Sequence, residues 1–350
     1  MTQLENDLRV AVIGMGHLGK IHAKLLANVA GAELVAVCDP FESAAADAGA
    51  QFGVPFATDY HGITDTIDAA IIAAPTPCHA EIAFDLLEQR KHLLIEKPLT
   101  NDATSSKRLA MLAEMRGVVL QVGHVERFNP AFAALGEFGR HVKFVEATRA
   151  SRFPGRCLDV GVVMDLMIHD LDLVLSLTDA PVKSVHASGV SLVSDHEDIA
   201  EARVEFECGL IANVKASRVS PSPTREMTLY ADAGSARIDF STPALSTVAN
   251  SVSVRSGTFD LAEETENPLG YADQLFDEHL VCETATLEPT NAIQDELHDF
   301  VVSIQSGSQP IVTGESAARA VALADQILDA IDHRSQVVAR TDRSSVRKAA

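Results

Sequence analysis

The sequence predicts an α/β domain with a doubly wound parallel sheet, followed by an α+β domain built on a large, open, mostly antiparallel sheet. A glycine-rich stretch, "GMGHLG", lies between a β-rich run and a helical run near the start of the chain. Strands and helices then alternate as far as residue 123, which is typical of a parallel sheet. After residue 180 the pattern changes to short strands in which apolar and polar residues alternate, which favours an antiparallel sheet.

Composition excludes several classes of function. The chain has 350 residues, enough for two domains, and a net charge of −21, which argues against binding to nucleic acid or to an anionic membrane. Its apolar runs are far shorter than the roughly 18 residues of a membrane span. The N-terminus lacks the pattern of a signal peptide. Five scattered cysteines form neither a disulfide framework nor a metal motif, so we expect a cytoplasmic protein with reduced thiols and no metal.

The glycine-rich stretch predicts a dinucleotide site of the Rossmann type. It follows the run "RVAVIG" and leads into the helical run "KIHAKLLANV". In this motif Gly14 permits a tight turn, Gly16 lets a pyrophosphate approach the backbone, and Gly19 allows close packing of helix on strand. The N-terminus of the helix offers free N–H groups to phosphates. We expect the cofactor to contact the loop residues Gly14, Met15, Gly16, His17, Leu18 and Gly19.

The second strand, "ELVAVCD", indicates which dinucleotide binds. It ends at Asp39, twenty residues after Gly19. A carboxylate at this position accepts hydrogen bonds from the adenosine ribose and repels a 2′-phosphate. The sequence therefore predicts NAD in preference to NADP.

Further candidate residues follow the ends of later strands. The run "DAAIIAAP" stops at Pro75 and Thr76, and "HLLIEKPL" ends in Glu96 and Lys97. Ligands of doubly wound sheets bind beyond the carboxyl ends of the strands. We therefore expect cofactor contacts from Pro75, Thr76, His79, Glu96 and Lys97.

The stretch "GVVMDLMIHDLDLVLSLT" predicts a buried helix that carries ionisable residues. Asp165 and His169 are four residues apart and share one face of such a helix. A carboxylate beside an imidazole orients it and raises its basicity, as an acid–base catalyst requires. A core histidine satisfied by a neighbouring acid is the alternative.

The motifs together resemble the glucose–fructose oxidoreductase, inositol dehydrogenase and MocA family. The likeness rests on the glycine fingerprint, "AAPTPCHAEIA", "EKPL", the later D-x-x-x-H, and the C-terminal "ELHDFVVSIQSGSQPIVTGESAARAVALADQIL". "GHVERFNPAF" and "MDLMIHDLDLVLSL" are similar to the branch of the family that oxidises nucleotide sugars.

The resemblance implies two domains with different functions. Residues 1–123 would form the NAD-binding Rossmann domain and residues 124–335 the domain for substrate binding and oligomerisation, with the C-terminal helices packed back on the first domain. A flexible tail is expected over residues 336–350. Family members associate through the open sheet, so the resemblance also implies a homodimer or homotetramer.

An arginine cluster bears on the substrate. In this acidic chain Arg149, Arg152 and Arg156 lie within "TRASRFPGR", and Arg127 precedes them in "ERFNP". Guanidinium groups bind phosphate oxygens in a bidentate manner, so a diphosphate-linked sugar would account for the cluster. Salt bridges to acidic residues are the alternative. Phe128 is a candidate to stack on the base of the substrate or to pack in the core.

These residues support a hypothesis for the reaction. His169, backed by Asp165, removes the proton of a sugar hydroxyl, while Lys97 polarises the oxygen. The family implies that both Lys97 and His169 matter, and which of them is the base stays open. The alternatives are a dehydrogenase of a free polyol or simple sugar, which would not need the arginines, and a non-catalytic NAD-binding sensor.

Overall fold

The computed structural model describes residues 7–153, 160–242 and 244–346, with the backbone alone beyond Asp332. The chain divides into two compact units. The first comprises the residues up to 128 together with 290–325, and the second comprises 129–289 and the residues from 326 onward. The first boundary lies at 128 where 123 was expected, and the segment 290–325 groups with the first unit.

The first unit contains a wholly parallel, six-stranded sheet. Its strands are β1 (Leu8–Ile13), β2 (Ala32–Cys38), β3 (Phe56–Ala57), β4 (Ala69–Ile72), β5 (His92–Glu96) and β6 (Leu120–Gly123). They lie in the order β3-β2-β1-β4-β5-β6, which is that of a Rossmann sheet. The strand order reverses between β1 and β4, and this switch point is where such sheets bind their ligands.

Four helices connect these strands. They are α1 (His17–Leu26), α2 (Glu42–Phe52), α3 (Thr76–Glu88) and α4 (Ala103–Arg116). Local signals set the ends of α4, because the Asp102 side chain accepts a hydrogen bond from the Ser105 N–H and Gly117 ends the helix with a φ of 68°. The central strands β1, β4 and β5 are mostly apolar and buried, as expected for strands covered on both faces.

The second unit contains an eight-stranded sheet that is antiparallel except for one pair. Its strands are β7 (Val142–Ala150), β8 (Val182–Val190), β9 (Ile199–Phe206), β10 (Ile211–Ser217), β11 (Thr224–Ala231), β12 (Gly234–Asp239), β13 (Ala244–Asn250) and β14 (Leu280–Thr286). The order is β14-β13-β12-β11-β7-β10-β9-β8, and only β7 and β10 pair in parallel. Buried and accessible residues alternate along β9 and β10, so one face of the sheet is covered there. The predicted fold class is confirmed.

The covering helix of the second unit has two parts. Val163–Met167 forms a π-helical turn that continues into α6 (Ile168–Ser176), after the short α5 (Pro130–Ala133). The other helices of this unit are α7 (Val252–Ser256), α8 (Leu261–Glu264) and α9 (Ala272–Glu278). Short 3₁₀ turns occur at Tyr60–Thr66, Val125–Phe128, Gly136–His141 and Pro268–Gly270.

The C-terminal part of the chain forms two long helices, α10 (Ala292–Ser306) and α11 (Gly314–Val346). Leu297, Phe300 and Val301 of α10 are buried in one cluster with apolar side chains of β1 and α1. No glycine or proline follows Gly314, so no residue of these two types interrupts α11, whose backbone is described to Val346. The flexible tail over residues 336–350 stays a prediction. No helix in the described part of the chain has the length and apolar composition of a membrane span.

Candidate active site

The glycine loop joins β1 to α1 at the switch point of the parallel sheet. Gly14 has a φ of 94°, and a Cβ there would lie 2.6 Å from backbone atoms of Ala73 and Ala74. A Cβ at Gly19 would lie 1.8 Å from the Gly14 carbonyl oxygen. A Cβ at Gly16, by contrast, would meet nothing within 4 Å. Two glycines are therefore required by the loop itself, whereas Gly16 faces open space.

The open side of the loop suits a pyrophosphate. Gly16 precedes the first turn of α1, and no side chain caps that turn. The first-turn residues His17 and Leu18 are exposed, so the N-terminal end of the helix is accessible. Backbone N–H groups and the helix dipole favour an anion at such a position. These residues fit the phosphates of a dinucleotide.

Asp39 is fixed beside the loop by two backbone groups. The Met15 N–H donates to Oδ2 at 2.8 Å, and the Phe41 N–H donates to Oδ1 at 2.9 Å. Each carboxylate oxygen retains a lone pair after these contacts, so both can still accept a hydrogen bond from a ribose hydroxyl. The contact with Met15, which the sequence did not indicate, joins the end of β2 to the glycine loop.

Pro75, Thr76 and His79 lie where β4 leads into α3. Thr76 is the first residue of the helix and Pro75 precedes it. The buried His79 ring lies between two carbonyl oxygens, with Nε2 at 2.8 Å from that of Ala74 and Nδ1 at 3.0 Å from that of Pro98. Burial lowers the pKa of His79 more than these carbonyl groups raise it, so the ring is neutral and donates to one of them at a time. His79 thus braces two strand-end loops, and its contact with a cofactor stays a prediction.

Lys97 is the first residue after β5 and is half-buried, and its peptide bond to Pro98 is cis. The preceding side chain, Glu96, turns to His22 of α1, with 2.7 Å between its Oε1 and the histidine Nε2. The described contact of Glu96 is therefore with α1, and its predicted contact with the cofactor is untested.

Asp165 and His169 lie on the two-part helix of the second unit. Asp165 belongs to the π-helical turn and His169 to α6, and both are half-buried. The four-residue spacing was interpreted with regular α-helical geometry, which the wider turn at Asp165 changes. Single π-helical turns occur frequently at functional sites.

A loop before β9 holds the start of this helix. The Glu197 carboxylate accepts the Val163 N–H at 3.1 Å, and the Glu197 carbonyl oxygen accepts the Val162 N–H at 2.9 Å. A Cβ at Gly161 would lie 2.0 Å from Glu197 Oε1, so a larger residue there would displace that carboxylate. Sequence reasoning missed Glu197, because no pattern relates it to a helix more than thirty residues earlier.

Two fully buried charges support the same segment. Arg218 and Asp198 form an ion pair, with Nε to Oδ1 at 2.9 Å and both side chains 0% exposed. Arg218 Nη1 also donates to the Val160 carbonyl oxygen at 2.8 Å. Burial alone would raise the pKa of Asp198, but the N–H of Val193 and the Arg218 guanidinium hold it well below its usual value. The aspartate is therefore charged, and this pair was also missed.

The arginines of the predicted cluster have different environments in the structure. Arg149 is buried and binds Asp170 of α6 through two bonds, Nε to Oδ2 at 3.1 Å and Nη2 to Oδ1 at 2.9 Å, so it is structural. Arg152 is exposed, and its Nε donates to the Pro221 carbonyl oxygen. Arg156 lies outside the described residues. Arg127 is half-buried in the first unit.

The predicted site residues thus fall into two groups. The first unit holds the glycine loop, Asp39 and Lys97, and the second holds Asp165 and His169. Phe128 is 9% exposed and counts among the buried apolar side chains, as expected for a packing role. Its contact with a substrate stays a prediction.

Both units match known families. Residues 8–124 match an oxidoreductase family with an NAD-binding Rossmann fold. Residues 134–237 match the C-terminal domain of the GFO/IDH/MocA family.

Three individual proteins illustrate the likeness. The chain is 32% identical to UDP-N-acetylglucosamine 3-dehydrogenase of Acidithiobacillus ferrooxidans, over 93% of this chain and 97% of that protein. The solved structure of that enzyme superposes with a TM-score of 0.81 at 31% identity, covering 93% of this chain and 98% of the other. The chain is 34% identical to scyllo-inositol 2-dehydrogenase (NAD(+)) of Bacillus subtilis, over 62% of this chain and 69% of that protein. Levoglucosan dehydrogenase, solved with NADH and levoglucosan, shares the fold at 20% identity, with a TM-score of 0.79 over 94% of this chain and 98% of that one.

Proposed function

Because this chain belongs to the glucose–fructose oxidoreductase, inositol dehydrogenase and MocA family of NAD-binding oxidoreductases, we propose that it oxidises a ring hydroxyl of a nucleotide sugar to a ketone. The substrate that we favour is UDP-N-acetylglucosamine, oxidised at C3. The observation that carries this choice is the similarity to UDP-N-acetylglucosamine 3-dehydrogenase, which extends over nearly the whole length of both chains. NAD, when bound, supplies the acceptor for the hydride that leaves the ring carbon.

The chain's own residues hold the cofactor and move the proton. The N–H groups at the start of α1 bind the pyrophosphate, and Asp39 accepts the ribose hydroxyls. His169 takes the proton of the sugar hydroxyl as the carbon–hydrogen bond breaks, and Asp165 orients the imidazole. Lys97 donates a hydrogen bond to the oxygen that becomes the carbonyl. Arg127 and Arg152 are the described candidates for the diphosphate.

A free polyol is the second candidate substrate. It is favoured by the 34% identity to scyllo-inositol 2-dehydrogenase, although that similarity spans only 62% of this chain. The polyol would use the same Lys97, Asp165 and His169 and would place no demand on Arg127 or Arg152.

A substrate comparison tests the proposal. Purified protein is incubated with NAD and UDP-N-acetylglucosamine, and in parallel with myo-inositol or glucose, with a carbonyl reagent to trap the ketone. We expect NADH with the nucleotide sugar alone. Turnover of myo-inositol or glucose would show that the protein is a dehydrogenase of free polyols or simple sugars. If the protein bound NAD but turned over none of the three compounds, the proposal would be contradicted.

The arginines provide a matched check on the substrate class. Arg127→Gln and Arg152→Gln should each raise KM for the nucleotide sugar while kcat changes little, because phosphate contacts bind ground and transition states alike. Arg203→Gln, on the half-exposed Arg203–Glu205 pair of β9, serves as the control and should leave KM unchanged. Equal KM values in all three variants would remove the arginines from the substrate site.

We also propose that the protein assembles as a homodimer or homotetramer through its eight-stranded sheet. In support, β14 at one edge is largely exposed, and the accessible face of β11 to β14 carries Thr228, Tyr230, Ser246 and Thr284 around one groove. Light scattering measures the molar mass directly, and a monomer at micromolar concentration would contradict this assembly.

The cytoplasm is the compartment that we propose. Cys38, Cys78, Cys208 and Cys282 are free thiols, and burial raises the pKa of Cys38 to about 11, so this thiol stays protonated. A fluorescent fusion followed by cell fractionation tests this location. Recovery in a secreted or membrane fraction would contradict it.

A further inference from the structure

Four polar residues, three buried and one half-buried, lie near the strand end that carries Lys97. They are His22 on α1, Glu96 at the end of β5, Gln121 on β6 and Glu296 on α10. Three of the four, His22, Gln121 and Glu296, are at most 1% exposed. The surrounding core consists of apolar side chains such as Leu297 and Phe300. Burying such groups costs free energy unless they are satisfied, so their arrangement needs a reason.

The Glu96 carboxylate is confined from two sides. Its Oε1 lies 2.7 Å from Nε2 of His22. A Cβ at Gly123, the residue paired with Glu96 across β5 and β6, would lie 2.9 Å from Glu96 Oε2. Glycine at this position therefore leaves the room that the carboxylate occupies. The carboxylate is held one residue before Lys97.

A second carboxyl group is buried nearby. The Gln121 side-chain amide donates to the main-chain oxygen of Glu296 at 2.9 Å and so ties α10 to β6. Within the described part of the chain, the buried Oε1 of Glu296 accepts no hydrogen bond, and neither does Oε1 of Gln121. An ionised carboxylate in such a position would be very costly.

The charges around Glu296 also disfavour its ionised form. Burial raises the pKa of Glu296 well above its usual 4.5, and the negative charges of Glu96 and Asp299 raise it further. Helix α1 and the 3₁₀ turn Val125–Phe128 pack against α10. Their ionisable residues are His17, Lys20, His22 and Lys24 on α1 and Glu126 and Arg127 on the turn, with His124 next to the turn. Of the two carboxyl groups, Glu96 is the one whose described partner is a histidine.

We propose that Glu296 is a neutral carboxylic acid in the folded protein, and that His22 and Glu296 are positioning residues that hold Glu96 and, through it, the strand end bearing Lys97. The neutral state of Glu296 concerns the first unit alone and is independent of the proposed function. The positioning role rests on that function, because it is read through turnover.

The sign of the pH effect follows from proton binding. The folded state binds the Glu296 proton more tightly than the unfolded state does, so the stabilisation is complete below the unfolded pKa of 4.5 and is lost as the pH rises through the folded pKa. Ionisation at alkaline pH places a second negative charge near Glu96, which displaces the strand end and with it Lys97. Turnover should fall over the same pH range.

Glu296→Gln tests both the neutral state of Glu296 and its positioning role, because the amide keeps the shape of the acid and cannot ionise. Thermal unfolding of wild type and variant is measured between pH 5 and pH 9, together with kcat over the same range. We expect Glu296→Gln to become progressively more stable relative to wild type as the pH rises, and the alkaline fall of kcat to move upward by at least about one pH unit. Asp295→Asn, an exposed change on the same helix, should do neither.

The neutral state of Glu296 and the positioning role can be contradicted independently of each other. A stability difference that is constant from pH 5 to pH 9 would overturn the neutral acid, and the melts need no substrate. An unchanged alkaline fall of kcat in Glu296→Gln would overturn the positioning role. If no substrate is turned over at all, only the proposed function has failed and the unfolding data still decide the protonation state.

His22 is tested by a conservative and a non-conservative change. His22→Leu removes the donor to Glu96 and should lower kcat roughly tenfold or more, since small misplacements of a catalytic group are costly. KM for NAD should stay within about twofold, because the glycine loop is untouched. His22→Gln, whose amide can donate from a similar position, should restore most of kcat. Equal losses in both variants would overturn the role of the His22–Glu96 contact.

Discussion

The two units hold their candidate catalytic residues by different means. In the first unit Lys97 follows a strand whose position is set by parallel backbone pairing with β4 and β6. In the second unit Asp165 and His169 lie on a helix whose start is fixed by the Glu197 carboxylate and by Arg218. Backbone pairing tolerates most side-chain changes, whereas a buried charge loses its partner when one residue is replaced. The helix that bears Asp165 and His169 should therefore lose more free energy of unfolding from one replaced charge than the paired strand before Lys97 loses from one replaced side chain.

The largest expected effect is on turnover and should be the same in both units. Lys97→Met and His169→Gln each remove a group that moves or polarises a proton, and each should lower kcat by about 10²- to 10⁴-fold. Steady-state kinetics with NAD in excess measures this loss. The exposed changes Lys107→Met and His186→Gln are the controls and should keep wild-type kcat. Near-full turnover in both Lys97→Met and His169→Gln would refute the assigned roles.

The next effect should separate a buried ion pair of the second unit from a partly exposed one. Asp198→Asn leaves Arg218 charged and buried without its counter-ion, so the free energy of unfolding should fall by about 3–5 kcal/mol. Glu205→Gln breaks a partly exposed ion pair with Arg203 and should cost no more than about 1 kcal/mol. Urea unfolding of both variants measures the difference. A loss below about 1 kcal/mol for Asp198→Asn would mean that this helix does not depend on the buried pair.

The two units also differ in how much of their structure the sequence predicts. The first unit carries short-range signals, namely glycines at fixed spacing, apolar runs that stop at a polar residue, and an acid after the second strand. Each signal depends on a few adjacent residues, so the glycine loop and the strand ends could be located without coordinates. The contact of Asp39 with the Met15 N–H could not be predicted, because it joins the loops that follow two different strands.

The second unit depends on pairs of residues that are far apart in sequence. Glu197 meets Val163, and Arg218 meets Val160, yet each of these residues alone resembles any surface charge or loop residue. The π-helical turn at Asp165 also has no simple sequence signature, so regular helical spacing does not predict it. Strands β13 and β14, "ALSTVAN" and "LVCETAT", lack the alternation of a half-buried strand, so that pattern alone does not predict them.

The smallest effect compares two glycines of one loop. Gly19→Ala places a methyl group 1.8 Å from the Gly14 carbonyl oxygen, so the loop must shift, and the free energy of unfolding should fall by about 1–3 kcal/mol. Gly16→Ala meets no atom within 4 Å, so its stability should stay within about 0.5 kcal/mol of wild type. Its methyl group would occupy the space where the pyrophosphate approaches, so the Kd for NAD should rise about tenfold, or 1.4 kcal/mol. Calorimetry with NAD and thermal unfolding measure the two quantities separately. If Gly16→Ala bound NAD as tightly as wild type, the open side of the loop would not be the pyrophosphate site. The pyrophosphate would then have to bind at the end of another strand of the first unit.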